Sequence, residues 1–213
     1  MMEDKKRLKK RAAAILKILK RLFPTTKVAL TNWRNPWELL VAVVLSAQCT
    51  DKKVNEVTEQ LFKKYPKFKD YVKARQIDFE KDVHQCGFYR AKTKNILAAA
   101  KMIDEQFRGK VPKTMSEMIL LPGVARKTAN IVLHNAYGII EGIAVDTHVI
   151  RLSQRLELTK HKDPVKIERD LMEILPKKDW AELNYRLVDY GRKYCKAKNH
   201  NHTNCPLKKF DIN

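Results

Sequence analysis

Lys127 and Asp146 lie in two separate short motifs, and their side chains are of types that could take part in covalent chemistry. An amine that has lost its proton is a nucleophile, and a carboxylate stabilises a positive charge that develops nearby. Each residue also has a simpler structural interpretation. Lys127 could bind only a phosphate group, and Asp146 could serve only as the N-cap of the helix predicted to follow it.

The segment before Lys127 predicts a tight connection between two helices. Pro122 and Gly123 interrupt one helical pattern, and a second pattern runs from Arg126 to His134. Glycine adopts a positive φ at no steric cost, so the backbone N–H groups here can point outward. Together with the positive end of the second helix, such groups form a site for one phosphate. An ordinary Pro-Gly connection is the alternative.

The elements that must position these residues are predicted to be helical throughout, and no run alternates as a strand would. A basic, amphipathic helix opens the chain and ends near Phe23, and its apolar stripe predicts docking on a core. Asn35, Pro36 and Glu38 predict the capped start of a helix that is apolar on every side. The other predicted helices span about 50–65, 91–107, 114–121, 126–134, 146–156, 164–175 and 179–190. The fold class is therefore all-α, with about ten short helices.

Composition limits the functional classes. The 213 residues include 44 Lys and Arg against 24 Asp and Glu, a net charge of +20 that favours a polyanionic partner such as nucleic acid. A solvated basic surface and an anionic membrane surface are the alternatives. The longest apolar stretch, Leu39 to Ala47, is too short for a bilayer span, and no secretion signal is evident. Four cysteines without a disulfide framework predict a protein of the reducing cell interior.

Several motifs, in order along the chain, resemble those of the endonuclease III family of helix-hairpin-helix DNA glycosylases. The resemblance extends from about Asn32 to Asp211. The segments that carry it are 35–40, 45–51, 87–92, 111–112, 121–130 (Leu-Pro-Gly-Val-Ala-Arg-Lys-Thr-Ala-Asn) and 145–149 (Val-Asp-Thr-His-Val).

The resemblance implies a fold of two helical domains with a DNA-binding groove between them. A six-helix barrel domain with the helix-hairpin-helix would span residues 27–135. Residues 1–26 and 136–213 would form the second domain. The implied function is base-excision repair by a monomer that acts on double-stranded DNA with damaged bases or abasic sites, without a membrane partner.

The resemblance also implies roles for individual residues. Lys127 would attack the anomeric carbon and form a Schiff base, and Asp146 would stabilise the positive charge on the sugar. The helix N-terminus and the neighbouring Arg126 would favour the neutral lysine. The residues implied to bind DNA are Gln48, Phe88, Leu121, Gly123, Val124, Ala125 and Arg126. Of these, Gln48 and Phe88 would fill the space that a flipped base leaves, although Phe88 could instead be a core aromatic and Gln48 could bond locally.

Two features depart from the family. Cys195, His202, Cys205 and Asp211 keep the spacing of the family's four cluster cysteines, but only two are cysteines. Because four thiolates normally hold a [4Fe–4S] cluster, no cluster and no other cofactor is expected. Zinc is an acceptable ion for these four side chains, but a tail that folds without metal is favoured. In addition, Ala125 replaces a glycine of the hairpin, and an alanine with a positive φ would reshape it.

The favoured function is therefore a DNA glycosylase with AP lyase activity that removes damaged pyrimidines. A monofunctional glycosylase for uracil or mismatched bases is the first alternative, and the presence of Lys127 argues against it. A non-catalytic DNA-binding module is the second, and the presence of both Lys127 and Asp146 argues against that.

Overall fold

The computed structural model describes residues 2–198 and 201–211, and within them the chain forms eleven α-helices and no strand, which confirms the all-α prediction. The chain divides into two compact units, one formed by Val28–Glu141 and the other by Met1–Lys27 with Gly142–Asn213. In the part of the chain that the structure describes, no helix has both the length and the apolar character that a membrane crossing requires.

The unit of residues 28–141 is built around one fully apolar helix. Its helices are α2 (Pro36–Ser46), α3 (Asp51–Lys64), α4 (Phe68–Lys73), α5 (Gln76–Val83), α6 (Tyr89–Gln106), α7 (Met115–Met118) and α8 (Arg126–Tyr137). Helix α2 packs against α3, α6 and α8, which explains why it is apolar on every side. Asn35 caps it as predicted, because its side chain accepts the Glu38 N–H at 3.0 Å. The Glu38 carboxylate accepts the N–H of Arg34, one residue before the cap.

Helices α4 and α5 were not predicted from the sequence. Neither has an N-cap side chain that accepts a hydrogen bond from its first turn. An aromatic cluster holds both in place: Tyr71 of α4 and Phe79 of α5 are buried, and both rings lie within 5.4 Å of the Tyr65 ring, centroid to centroid. Burial of such rings is worth roughly 1.5–3 kcal/mol each, which compensates for the weak local signals.

The second unit encloses its own core. Its helices are α1 (Met2–Leu22), α9 (Thr147–Arg155), α10 (Pro164–Ile174) and α11 (Trp180–Lys193). Ala12, Ile15 and Leu19 of α1 are buried against α10 and α11, so the predicted docking of the basic helix is confirmed. Helix α9 packs between α10 and α11 and presents Val149 and Leu152 to the same core.

Candidate active site

The hairpin before α8 is a type II turn. Pro122 occupies its second position, Gly123 occupies the third with φ +78°, and the Val124 N–H donates to the Leu121 carbonyl at 3.1 Å. The side chains of Leu121 and Val124 are buried. These two residues therefore anchor the turn, and only their backbone groups are placed to contact a ligand.

Replacing Gly123 with alanine is expected to cost about 2–5 kcal/mol of the free energy of unfolding. The positive φ contributes about 1–2 kcal/mol, and a new Cβ would lie 2.7 Å from the Cβ of Asn95, an overlap that costs about 1–3 kcal/mol. Gly138→Ala is the matched control, since Gly138 has φ +69° with no atom within 4 Å of an added Cβ. Urea denaturation of both variants measures the difference, and equal losses would show that Asn95 moves aside freely.

Helix α8 begins directly after this turn and has no side-chain cap. Its N-cap, Ala125, offers no side-chain acceptor, so no side-chain cap bond occupies the N–H groups of the first turn. Ala125 has φ −92° and ψ 169°, an extended conformation that any residue adopts. The expectation that alanine reshapes the hairpin through a strained positive φ is therefore wrong.

Lys127 lies in the first turn of α8 and is half-buried. Among the residues that the structure describes, its Nζ forms no hydrogen bond or ion pair. An amine held at a polarised helix end, with a partly apolar stem and no competing partner, can approach a bound electrophile. Arg126 precedes it and adds a second cation to the same helix end.

Asp146 is the N-cap of α9. Its Oδ1 accepts the Val149 N–H at 2.8 Å, and its backbone is extended. The capping interpretation is therefore confirmed. It does not exclude a catalytic role, because the bond uses one carboxylate oxygen and Oδ2 makes no hydrogen bond with the described residues.

Gln48 and Phe88 lie on neighbouring loops of the same unit. Both have a positive φ, +52° and +57° respectively, which is uncommon for residues other than glycine. A Cβ added to Gly87 would lie 3.5 Å from the Gln48 carbonyl oxygen, so the two loops are adjacent. Phe88 is 68% exposed, which rules out the interpretation as a core aromatic. Backbone strain and exposed apolar surface are typical of functional loops.

Lys92 supports these loops and was given no role from the sequence. It is 6% exposed, and its Nζ donates at 2.8 Å to the Leu45 carbonyl in the last turn of α2. The Lys92 ammonium group thus satisfies a carbonyl at the negative C-terminal end of α2, directly before the Gln48 loop. Burial lowers the pKa of Lys92. The sequence feature that could have identified Lys92 is its position one turn before Ile96, on the buried face of α6.

The C-terminal tail brings three ligand-type side chains together. The Sγ atoms of Cys195 and Cys205 and a ring nitrogen of His202 lie within 4.8 Å of one another, although up to nine residues separate them in the chain. The described residues of this group supply two thiolates, so they do not fit a [4Fe–4S] cluster, which requires four. The sequence favours a metal-free tail, whereas this arrangement could hold one metal ion.

The sequence matches a known family over most of its length. The family model described as "HhH-GPD superfamily base excision DNA repair protein" matches residues 41–177. Endonuclease III of Synechocystis sp. is 50% identical over 190 residues, which cover 89% of this chain and 86% of that protein.

The fold matches solved structures equally well. "Structure of a non-covalent Endonuclease III-DNA Complex" aligns with a TM-score of 0.90 and 41% identity, covering 96% of this chain and 95% of that one. "Structure of a Trapped Endonuclease III-DNA Covalent Intermediate: Estranged-Adenine Complex" aligns with the same TM-score, identity and coverage.

Proposed function

Because the chain belongs to the endonuclease III family of the HhH-GPD superfamily, we propose that it is a base-excision-repair DNA glycosylase with AP lyase activity. It removes damaged pyrimidines from duplex DNA and acts inside the cell, with the DNA. The observation that carries the proposal is Lys127 in the first turn of α8, half-buried and without a partner among the described residues, directly after a glycine turn.

Lys127 supplies the nucleophile. Its neutral Nζ attacks C1′ of the damaged nucleotide, and the electron pair of the glycosidic bond leaves with the base, which takes up a proton. As the sugar opens, the ring oxygen leaves C1′ with the electron pair of that bond and takes up a proton, and a Schiff base forms; the protons taken up by the base and by this oxygen balance the two that Nζ loses. Loss of a C2′ proton then expels the 3′ phosphate by β-elimination, and water releases the lysine by hydrolysis.

Asp146 stabilises the positive charge that develops on the sugar as the glycosidic bond breaks. Its hydrogen bond to the Val149 N–H fixes the carboxylate at the start of α9, so little reorganisation is needed during the reaction. The cap and the catalytic role are compatible, because Oδ1 makes the bond and Oδ2 remains for the substrate.

The hairpin and the two loops bind the DNA. The N–H groups at the start of α8 donate hydrogen bonds to one phosphate, which also contacts Arg126. The exposed Phe88 ring stacks in the duplex where the flipped base was, and Gln48 on the adjacent loop occupies the same gap. Lys92 holds the end of α2 and thereby the conformation of the Gln48 loop.

The chain performs these steps without an iron–sulfur cluster. Only two of the four cluster positions are cysteines, and His202 and Asp211 occupy the others. The purified protein should therefore lack the visible absorbance of a cluster. Stoichiometric iron in the protein would contradict this part of the proposal.

The function is tested with labelled duplexes that contain one thymine glycol, one uracil mismatch or one abasic site. The full chain should release the damaged pyrimidine and cut the strand, and borohydride should trap a covalent protein–DNA adduct on the abasic duplex. Base release with an intact strand and no adduct would identify a monofunctional glycosylase instead. Binding without any base release would identify a non-catalytic DNA-binding module.

A further inference from the structure

The C-terminal tail contains a compact set of metal-type ligands that the glycosylase chemistry does not use. Cys195 follows α11, His202 begins a short 3₁₀ turn, His202–Asn204, and Cys205 follows that turn. Both cysteines are buried and the histidine is half-buried. We propose that Cys195, His202, Cys205 and Asp211 hold a single Zn²⁺ ion, in place of the iron–sulfur cluster of the family.

The distances between ligand atoms agree with a tetrahedral zinc site. Zinc bonds of about 2.3 Å to sulfur and 2.0–2.1 Å to nitrogen place neighbouring S and N ligands about 3.6 Å apart. The Cys205 Sγ lies 3.5 Å from the His202 Nδ1, and the Cys195 Sγ lies within 4.8 Å of the Cys205 Sγ and of a ring nitrogen of His202. One pair thus has the spacing that the ion requires, and Cys195 needs to move by at most about 1 Å to join it.

Asp211 completes the site in our proposal. Its Oδ2 lies 3.9 Å from the His202 Nδ1, and the corresponding edge of a zinc tetrahedron is about 3.4 Å. Asp211 lies outside the set of ligand atoms that are all within 4.8 Å of one another, so its carboxylate must also move by about 1 Å or more toward a sulfur, and a change of side-chain rotamer provides such a movement. The Asp211 Oδ2 accepts a hydrogen bond from Arg155. Because a carboxylate oxygen has two lone pairs, the same atom can accept that hydrogen bond and bind the ion.

Two arginines of α9, Arg151 and Arg155, contact the proposed ligands. The Nη1 of Arg151 lies 3.5 Å from the Cys195 Sγ, and its Nη2 donates to the Cys195 carbonyl at 2.7 Å. The Nε of Arg155 donates to the Asp211 Oδ2 at 2.5 Å. Two thiolates and one carboxylate would exceed the charge of Zn²⁺ by one, and these guanidinium groups balance the excess while they orient the ligands.

Zinc would add to the stability of the tail. Residues 201–211 form two three-residue 3₁₀ turns, and the tail is held to the core by the buried Leu207, whose N–H donates to the Tyr190 hydroxyl of α11 at 3.2 Å. A four-ligand zinc site contributes its binding free energy directly to folding. The ion is therefore structural, and its presence can be measured without any assay of activity.

The first test measures metal content in the full chain, produced with both iron and zinc in the medium and purified without chelator or metal-affinity tag. We expect one zinc and negligible iron per chain by elemental mass spectrometry. Cys195→Ser and Cys205→Ser should each lower zinc to less than about a tenth per chain, since a thiolate is lost. Cys49→Ser is the matched control and should keep the zinc, because Cys49 lies in the other unit.

A second test needs no variant and remains decisive if the cysteine variants fail to fold. The native chain, depleted of metal, is titrated with Co²⁺, a spectroscopic probe that accepts tetrahedral sulfur and nitrogen ligands. One equivalent should produce thiolate-to-cobalt absorbance, and one equivalent of Zn²⁺ should remove it. Failure of the native chain to bind either ion, zinc retained in Cys205→Ser, or stoichiometric iron would each overturn the proposal.

Discussion

Lys127→Ala is expected to abolish the borohydride-trapped adduct and to reduce strand cleavage at an abasic site by about 10⁴-fold or more, because the attacking amine is lost. Affinity for the same duplex should change little, since the turn and the N–H groups at the start of α8 do not depend on this side chain. The measurement pairs single-turnover cleavage with a binding titration at fixed salt.

Lys127→Arg separates the nucleophile from a phosphate-binding cation. Arginine keeps the positive charge but does not form a Schiff base, so binding should match the native protein while the adduct disappears. Lys101→Ala removes an exposed lysine of the same unit and should leave both properties unchanged. An adduct that survives in Lys127→Ala would assign the chemistry to another amine.

Asp146→Asn is expected to slow release of the damaged base by about 10²–10³-fold, the scale of losing one fixed electrostatic contact to a developing charge. Stability should be nearly unchanged, because asparagine caps helices as well as aspartate does and can still accept the Val149 N–H. The measurement is single-turnover base release, together with thermal unfolding of the variant.

Asp163→Asn provides the matched control for that prediction. Asp163 is the N-cap of α10 and accepts the Lys166 N–H at 2.9 Å, the same arrangement as at Asp146. Its replacement removes an equivalent charge from an equivalent cap, so base release should stay at the native rate. If Asp146→Asn is as active as Asp163→Asn, Asp146 serves only as a cap.

Elements with strong local signals could be predicted from the sequence. The cap at Asn35 with Pro36 marked the start of α2, and the uninterrupted apolar run after it indicated burial on all faces. The Pro122–Gly123 pair likewise marked the turn, since proline suits its second position and glycine adopts the positive φ of its third. These signals act within a few residues, so no knowledge of the distant chain was needed.

The site was only partly predictable for the same reason. The family motifs pointed to Lys127 and Asp146, whose catalytic roles stay predictions, and the sequence suggested the cap that Asp146 forms. Local rules misjudged Ala125, because its φ depends on where the turn ends and the helix begins. They gave no role to Lys92, whose partner is a carbonyl on another helix.

The sequence by itself determined the helical class, the main helix starts, the glycine turn and the motifs of the family, because each is encoded by neighbouring residues. Only the tertiary structure decided the rest. Helices α4 and α5 depend on the packing of Tyr65, Tyr71 and Phe79, and the convergence of Cys195, His202 and Cys205 depends on how the tail folds against α9 and α11. Both bring together residues from separate elements, beyond the reach of local capping and turn signals, and their free energy exists only once the elements have packed.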